Sequence, residues 1–416
     1  MVDGTGPLAG VRILDLGWAM AGPQGAAILG AYGAEVIKVE SRARPDLART
    51  TFGPIVAEDP YDGSGYFNNF NRDKRSITLN MTTEQGRRLF AELLAISDGL
   101  LENFAAGVLD RWGFPYEAMQ RIRPDIVYVS MAGFGHTGPY RDYKTFGPIV
   151  QAVSGLTHQS GYPDMEPAGW GFSYMDHTGG YYGAIAMLQA LLHRRRTGQG
   201  QHVDLSQVEA ATTLTGPAIL DHAVNGRPST RIGNASGEPV MAPHGVYRCA
   251  PDTDPRIGDD TWVAVAVETD TQWQALCRVI DAADLAADTM LASVEGRLQQ
   301  SERIDATIAA WTRHQTPWQA MDALQAAGVP AGAVQRTRDL VERDPQLRHR
   351  NMHPEITHPL LGTFKVDGVP VRFSRTPAAV RRPGPLLGEA NAEVYGGLLG
   401  LPERSIAELT DAQVIW

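Results

Sequence analysis

Asp176 lies in the run Gly-Trp-Gly-Phe-Ser-Tyr-Met-Asp-His-Thr-Gly-Gly at 169–180, between an aromatic-rich loop and a glycine pair. An apolar, helix-like stretch follows from Tyr181 to Leu192. The spacing therefore predicts a carboxylate at or near a helix N-terminus, where backbone N–H groups favour negative charge. Such a group can cap the helix. It can also stay ionised, face a pocket and act as a nucleophile. His177 beside it reads as an exposed loop histidine or as an acid or base.

Other residues suggest anion binding. Asn71-Arg72-Asp73-Lys74-Arg75-Ser76 is basic and precedes the apolar run Ile77–Leu79. It reads as a solvated turn, or as a contact for a nucleotide phosphate by point charge and guanidinium fork. Arg42, Arg44 and Arg111 each follow a predicted strand end and extend that idea. Gly133-Phe134-Gly135-His136-Thr137-Gly138 is glycine-rich but fits neither a dinucleotide fingerprint nor a phosphate-binding P-loop. Asp204, Ser206 and Glu209 lack a preceding nucleophile elbow and are assigned to structure. His349 and His353 stand four apart, but Pro354 follows and no HExxH occurs, so no metal site is assigned.

These groups need a scaffold, and the first half of the chain alternates. Val11–Gly17, Ala34–Glu40, Gly99–Asn103 and Asp125–Met131 read as strands; 23–32 and 83–97 read as helices. Strand–helix alternation predicts an α/β fold with a mostly parallel sheet and helices on both faces. Ligands on such sheets bind beyond the C-terminal strand ends, here the loops 18–22, 41–44, 103–111 and 132–140. A large α/β domain is expected over 1–221. A smaller α+β domain with linkers is expected over 222–335, with helices at 272–294 and 304–327. Residues 336–416 are expected to return to the large domain.

The chain has 416 residues, 43% hydrophobic and 20% charged, which suits a globular protein of two to three domains. A net charge of −10 argues against nucleic-acid binding, which needs basic patches. Two cysteines, Cys249 and Cys277, exclude a disulfide framework and suit a reducing, cytoplasmic setting. The first seven residues lack the pattern of a secretory leader, and no apolar run reaches membrane-spanning length.

Taken in order, the motifs resemble the formyl-CoA transferase/CaiB–BaiF family, the class III CoA transferases. The matching stretches are Leu8–Leu16, Ala21-Gly22-Pro23, Gly33–Glu40, Asn71-Arg72 with Lys74-Arg75-Ser76, Glu102-Asn103-Phe104 with Gly107–Arg111, Gly133-Phe134-Gly135 with Thr137–Tyr140, Thr197-Gly198 with Gly200-Gln201, and Gly328–Gly332. The resemblance implies a Rossmann-like large domain, a smaller domain, and two interlocked subunits, as a homodimer or with a related chain. It implies coenzyme A as the carried group, acyl-CoA and carboxylic acid substrates, and Asp176 at the catalytic aspartate position. Ala19, Met20, Ala21, Lys74, Asn103, Phe104 and Arg111 fall at coenzyme-contacting positions. Arg42 lies one residue from an adenine-side arginine position, which Ser41 holds, and Lys144 lies close to a phosphate-contacting lysine position. Met20 stands where formyl-CoA transferase has a glutamine.

On this resemblance the reaction runs through an aspartyl anhydride and an aspartyl-CoA thioester. The acid is expected to be dicarboxylic or aryl-substituted. Gly179 and Gly180 are candidate oxyanion donors, and Gly233 and Asn234 belong to a candidate cover. Two alternatives remain. Racemases of the same fold family carry a histidine where this chain has Phe146, and a non-catalytic coenzyme-binding subunit would not need Asp176.

Overall fold

The computed structural model describes residues 6–51, 60–237, 239–254 and 256–416. Residues 1–5, part of the stretch read for a leader, lie outside them. Two compact units divide the chain. One comprises 1–157, 169–228 and 345–416; the other comprises 158–168 and 229–344.

The first unit is built on a six-stranded parallel sheet. Its strands are β1 (Arg12–Asp15), β2 (Glu35–Glu40), β3 (Lys74–Thr78), β4 (Gly99–Glu102), β5 (Val127–Ser130) and β6 (His202–Asp204). Their spatial order is β3-β2-β1-β4-β5-β6, a doubly wound arrangement whose order reverses between β1 and β4. Buried Ile13, Leu14, Ile37, Leu100, Val127 and Val129 make the strands near-continuous apolar runs, as a sheet covered on both faces requires.

Helix α1 (Ala21–Ala31) is almost wholly buried and rich in glycine and alanine. It packs closely against the long helix Tyr174–Thr197. A Cβ added at Gly25 would lie 2.9 Å from the Gly180 carbonyl oxygen, and one at Gly180 would lie 2.9 Å from the Ala21 oxygen. The small residues therefore set the spacing of these two helices. The helix Glu84–Ala95 is capped by Thr83, whose hydroxyl accepts from the Gly86 N–H at 3.0 Å. The C-terminal segment joins this unit through Ala390 N–H to Ser76 O and Asn80 N–H to Val414 O, at 2.9 and 2.8 Å.

The second unit holds a three-stranded antiparallel sheet, His244–Arg248, Trp262–Ala266 and Ala331–Ala333. Helices pack on it around Trp273, Leu276, Ile304, Ile308 and Leu324. The two long helices expected there are each broken. Thr316 and Gln319 form a reciprocal cap, with Pro317 at the first helical position, so the segment 304–327 restarts at 317. The segment 272–294 breaks after Val279, where Asp281 takes φ 54°. Among the described residues, no helix is long and apolar enough to cross a membrane.

Candidate active site

The sheet reverses its order between β1 and β4, and the loops after these strands are tied together there. Asn103, just past β4, accepts from the Trp18 N–H at 2.7 Å and donates to the Trp18 carbonyl at 3.0 Å. Phe104 packs edge-on against Trp18 and Trp112, with ring centroids 5.5 and 5.7 Å apart. Below, a lattice of buried charges braces the β1 loop. Asp15 accepts from the Gly17 N–H at 2.8 Å, and Lys38 donates to the Gly17 carbonyl at 2.7 Å. Asp46 accepts from Lys38 at 2.9 Å and from the Ala19 N–H at 2.7 Å. Ala19 has φ 60°, a left-handed conformation that surrounding bonds must over-determine.

Lys74 is part of this brace. Its ammonium donates to Asp15, Pro23 O and Asn71 at 2.7, 2.8 and 2.8 Å. Burial lowers its pKa to about 8 against the pull of Asp15. All three donors of the ammonium are thus used inside the protein. Lys74, expected at a coenzyme-contacting position, holds the loop in this structure.

Asp176 occupies the first turn of the helix Tyr174–Thr197. Its carboxylate accepts from the Ser173 side chain and from the Gly147 backbone N–H. Among the described residues no cation pairs with it. Burial dominates and raises its pKa to about 6, because desolvation disfavours the charged form. The approach of Gly147 is close: a Cβ there would lie 2.7 Å from Asp176 Oδ2. Position 147 therefore needs glycine. Phe146, directly before it, is 57% exposed and offers no base.

The three cations expected near the coenzyme lie in connections between strands of the sheet. Arg42 follows β2 and stacks over Tyr61 at 5.4 Å; Arg111 follows β4; Lys144 follows β5. All three are exposed. Met20 is buried at the N-terminus of α1, where it makes no side-chain cap. The first N–H groups of that helix, on Ala21 and Gly22, have no helical acceptor.

Residues 8–391 match the model of CoA-transferase family III. The chain belongs to this family. It is 33% identical over 419 residues to a succinyl-CoA–D-citramalate CoA-transferase of Chloroflexus aurantiacus, covering 98% of both chains. It is 34% identical over 424 residues to a formyl-CoA:oxalate CoA-transferase of Streptomyces avermitilis, covering 99% and 100%. A CAIB/BAIF family protein from Brucella suis has a solved structure that superposes with a TM-score of 0.84 at 31% identity, covering 95% of this chain and 100% of that one. The protein is accordingly an enzyme with CoA-transferase activity.

One expectation for this family III chain changes. Gly179 and Gly180 are not free oxyanion donors, because the helix begins at Tyr174 and runs through them. Their N–H groups belong to its i to i−4 ladder. Their small size serves packing instead, Gly180 against α1 and Gly179 against Gln207. The Ala19 N–H is spent on Asp46, so the N–H groups of Ala21 and Gly22 are the donors of that loop without a helical acceptor. Gly233 and Asn234 lie in the second unit, where Gly233 N–H bonds Gly161 O at 3.0 Å and Asn234 donates to the Tyr162 hydroxyl at 3.2 Å.

His177 packs on Phe70 with centroids 5.7 Å apart, and burial lowers its pKa. It is a neutral, packed ring. Tyr66 escapes a sequence reading altogether. Burial first, then the Asp176 charge, pushes its hydroxyl up to about 12, so the phenol stays protonated within electrostatic range of that carboxylate. No local pattern around Tyr66 signals this, since Asp176 lies over a hundred residues away.

Proposed function

We propose that this enzyme moves coenzyme A between carboxylic acids with Asp176 as covalent nucleophile. The observation that carries the reading is a half-buried carboxylate with no cation partner among the described residues and a raised pKa of about 6. It is ionised at neutral pH yet more basic than an ordinary aspartate, and so more nucleophilic. An Asp176 oxygen attacks the donor's thioester carbonyl carbon. The C–S bond breaks, leaving an acyl-aspartyl anhydride and CoA thiolate. The thiolate attacks the aspartyl Cγ and expels the donor acid, giving the aspartyl-CoA thioester. The acceptor carboxylate then attacks Cγ and releases thiolate, which takes the acceptor's acyl carbon and frees Asp176. No net proton moves.

Each oxyanion needs a donor. The Gly147, Ala21 and Gly22 N–H groups and the Tyr66 hydroxyl are the candidates on the first unit. Arg42, Arg111 and Lys144 would meet the coenzyme's phosphates, and Asn103 and Phe104 would line its path.

The acid is proposed to be dicarboxylic or aryl-substituted. Oxalate and citramalate in the relatives' names support the first class. Exposed Trp170, Phe172 and Tyr174, clustered at the start of the Asp176 helix, support the second. A dimer is proposed as well. Tyr181, Ile185, Leu188 and Leu192 form an exposed apolar stripe at helical spacing on that helix. Phe146 favours transfer over racemisation, which needs a base on each face of the α-carbon.

The test is a panel of acceptor acids with succinyl-CoA or acetyl-CoA, read by mass spectrometry of the CoA products. A new acyl-CoA that requires an acceptor acid supports transfer. Deuterium entering the α-position of a 2-methylacyl-CoA without any acceptor contradicts it.

A further inference from the structure

Glu102 ends β4 and is 1% exposed. It directly precedes the Asn103–Phe104 turn, and the mechanism above does not use it. One oxygen accepts from the Phe104 N–H at 2.5 Å, the other from the Tyr128 hydroxyl at 2.8 Å. His136, on the glycine-rich loop after β5, brings Nε2 to 3.7 Å from the same carboxylate. That nitrogen is buried without a hydrogen-bond partner. His202 from β6 stacks on Tyr128 at 4.4 Å and bonds Ser130 at 2.8 Å. Asp110 and Asp204 add like charge from the following helix and from β6.

We infer that Glu102 is a positioning residue, a buried clasp whose charge sets the Asn103–Phe104 turn and through it the affinity for coenzyme A. The inference rests on the reading that this turn lines the coenzyme path. Asn103 ties down the Trp18 backbone and Phe104 packs between Trp18 and Trp112. A loosened Phe104 N–H therefore loosens both sides of the crevice. Ionised Glu102 accepts both bonds with charge assistance, which makes them roughly twice as strong. Protonated Glu102 loses that grip and has an idle acceptor at hand in His136.

The neighbours leave Glu102 as the group that switches near neutrality. Burial holds His136 and His202 below the ordinary imidazole range, and burial with the Glu102 charge holds Tyr128 protonated. Burial raises Glu102 to about 7 against the bonds from Tyr128 and Phe104. Affinity then rises as pH rises through that value.

The test is calorimetric titration with coenzyme A from pH 5.5 to 8.5, which needs no turnover. The coenzyme's own phosphate titrates near about 6, so the readout is the difference between wild type and Glu102→Gln. The wild type is expected to bind about fivefold more tightly at pH 8, with the advantage fading below pH 7. Tyr128→Phe, which removes one hydroxyl, should move the inflection upward. In turnover the effect falls on KM for the CoA donor rather than on kcat. An unchanged pH dependence in both variants overturns the inference and leaves the transferase reading intact. Coenzyme binding with this pH dependence but no transfer to any acid overturns the transferase reading alone. No binding of coenzyme at any pH overturns both.

Discussion

Two sets of buried carboxylates serve opposite ends in the first unit. Under the β1 loop, Asp15, Glu40 and Asp46 are fully buried, and each has a cation. Lys74 reaches Asp15, Lys38 reaches Asp46, and Arg49 meets Glu40 with two bonds at 2.9 and 2.8 Å. Burial works against the Glu40 charge, yet Arg49 outweighs it and holds the pKa at about 2. Asp176 has hydrogen bonds but, among the described residues, no cation, and its pKa rises to about 6. Compensated charge makes a braced floor; the proposed nucleophile is held by hydrogen bonds alone. The floor fixes the loop, and the loop's neighbour α1 fixes the Asp176 helix.

Asp176→Asn breaks the contrast most sharply. Turnover is expected to fall by about ten-thousandfold or more, as for a lost covalent nucleophile. The fold should not suffer, because the raised pKa marks a charge that costs about 3 kcal/mol when ionised. Melting at pH 8 should be unchanged or higher, and steady-state rates with differential scanning fluorimetry read both. Deamidation must be excluded by mass.

The floor should show the reverse. Arg49→Leu leaves Glu40 buried without its partner and is expected to cost about 3–5 kcal/mol, read from denaturant midpoints. Any surviving folded enzyme keeps the Asp176 chemistry.

Gly147→Ala sharpens the comparison at the boundary. Its Cβ would crowd Asp176 Oδ2 at 2.7 Å, so kcat should fall by about a hundredfold with only a small change in melting.

The two regions also separate by pH. Asp176 must be ionised to attack, so kcat/KM should fall about tenfold per unit as pH drops below about 6. Glu40 is depressed, so its stabilisation is complete above its unfolded value and is lost only as pH falls toward about 2. Activity should vanish well before the floor weakens.

The parallel sheet was legible because apolar runs at 11–17, 34–40, 99–103 and 125–131 stand out against helical spacing. The place of Asp176 in the first turn of a helix was legible through its neighbours in sequence. The basic stretch 71–76 was not, since a solvated turn and a buried strand share that composition. Lys74 and Arg75 lie in β3 because Asp15 and Glu35, far back in the chain, supply the opposing charges. The glycine pair misled for a similar reason: its purpose is contact with α1, which no local pattern reveals. Gly147 reaches Asp176 only through the fold.

The central claim is that Asp176 carries the acyl group and then coenzyme A. The direct measurement is mass spectrometry of the peptide containing residue 176, taken during turnover with succinyl-CoA and an acceptor acid, with and without hydroxylamine. The account predicts a coenzyme A adduct on Asp176 that hydroxylamine converts to a hydroxamate, and neither product in Asp176→Asn. An unmodified Asp176 in a turning-over enzyme, or an adduct on another residue, would contradict it.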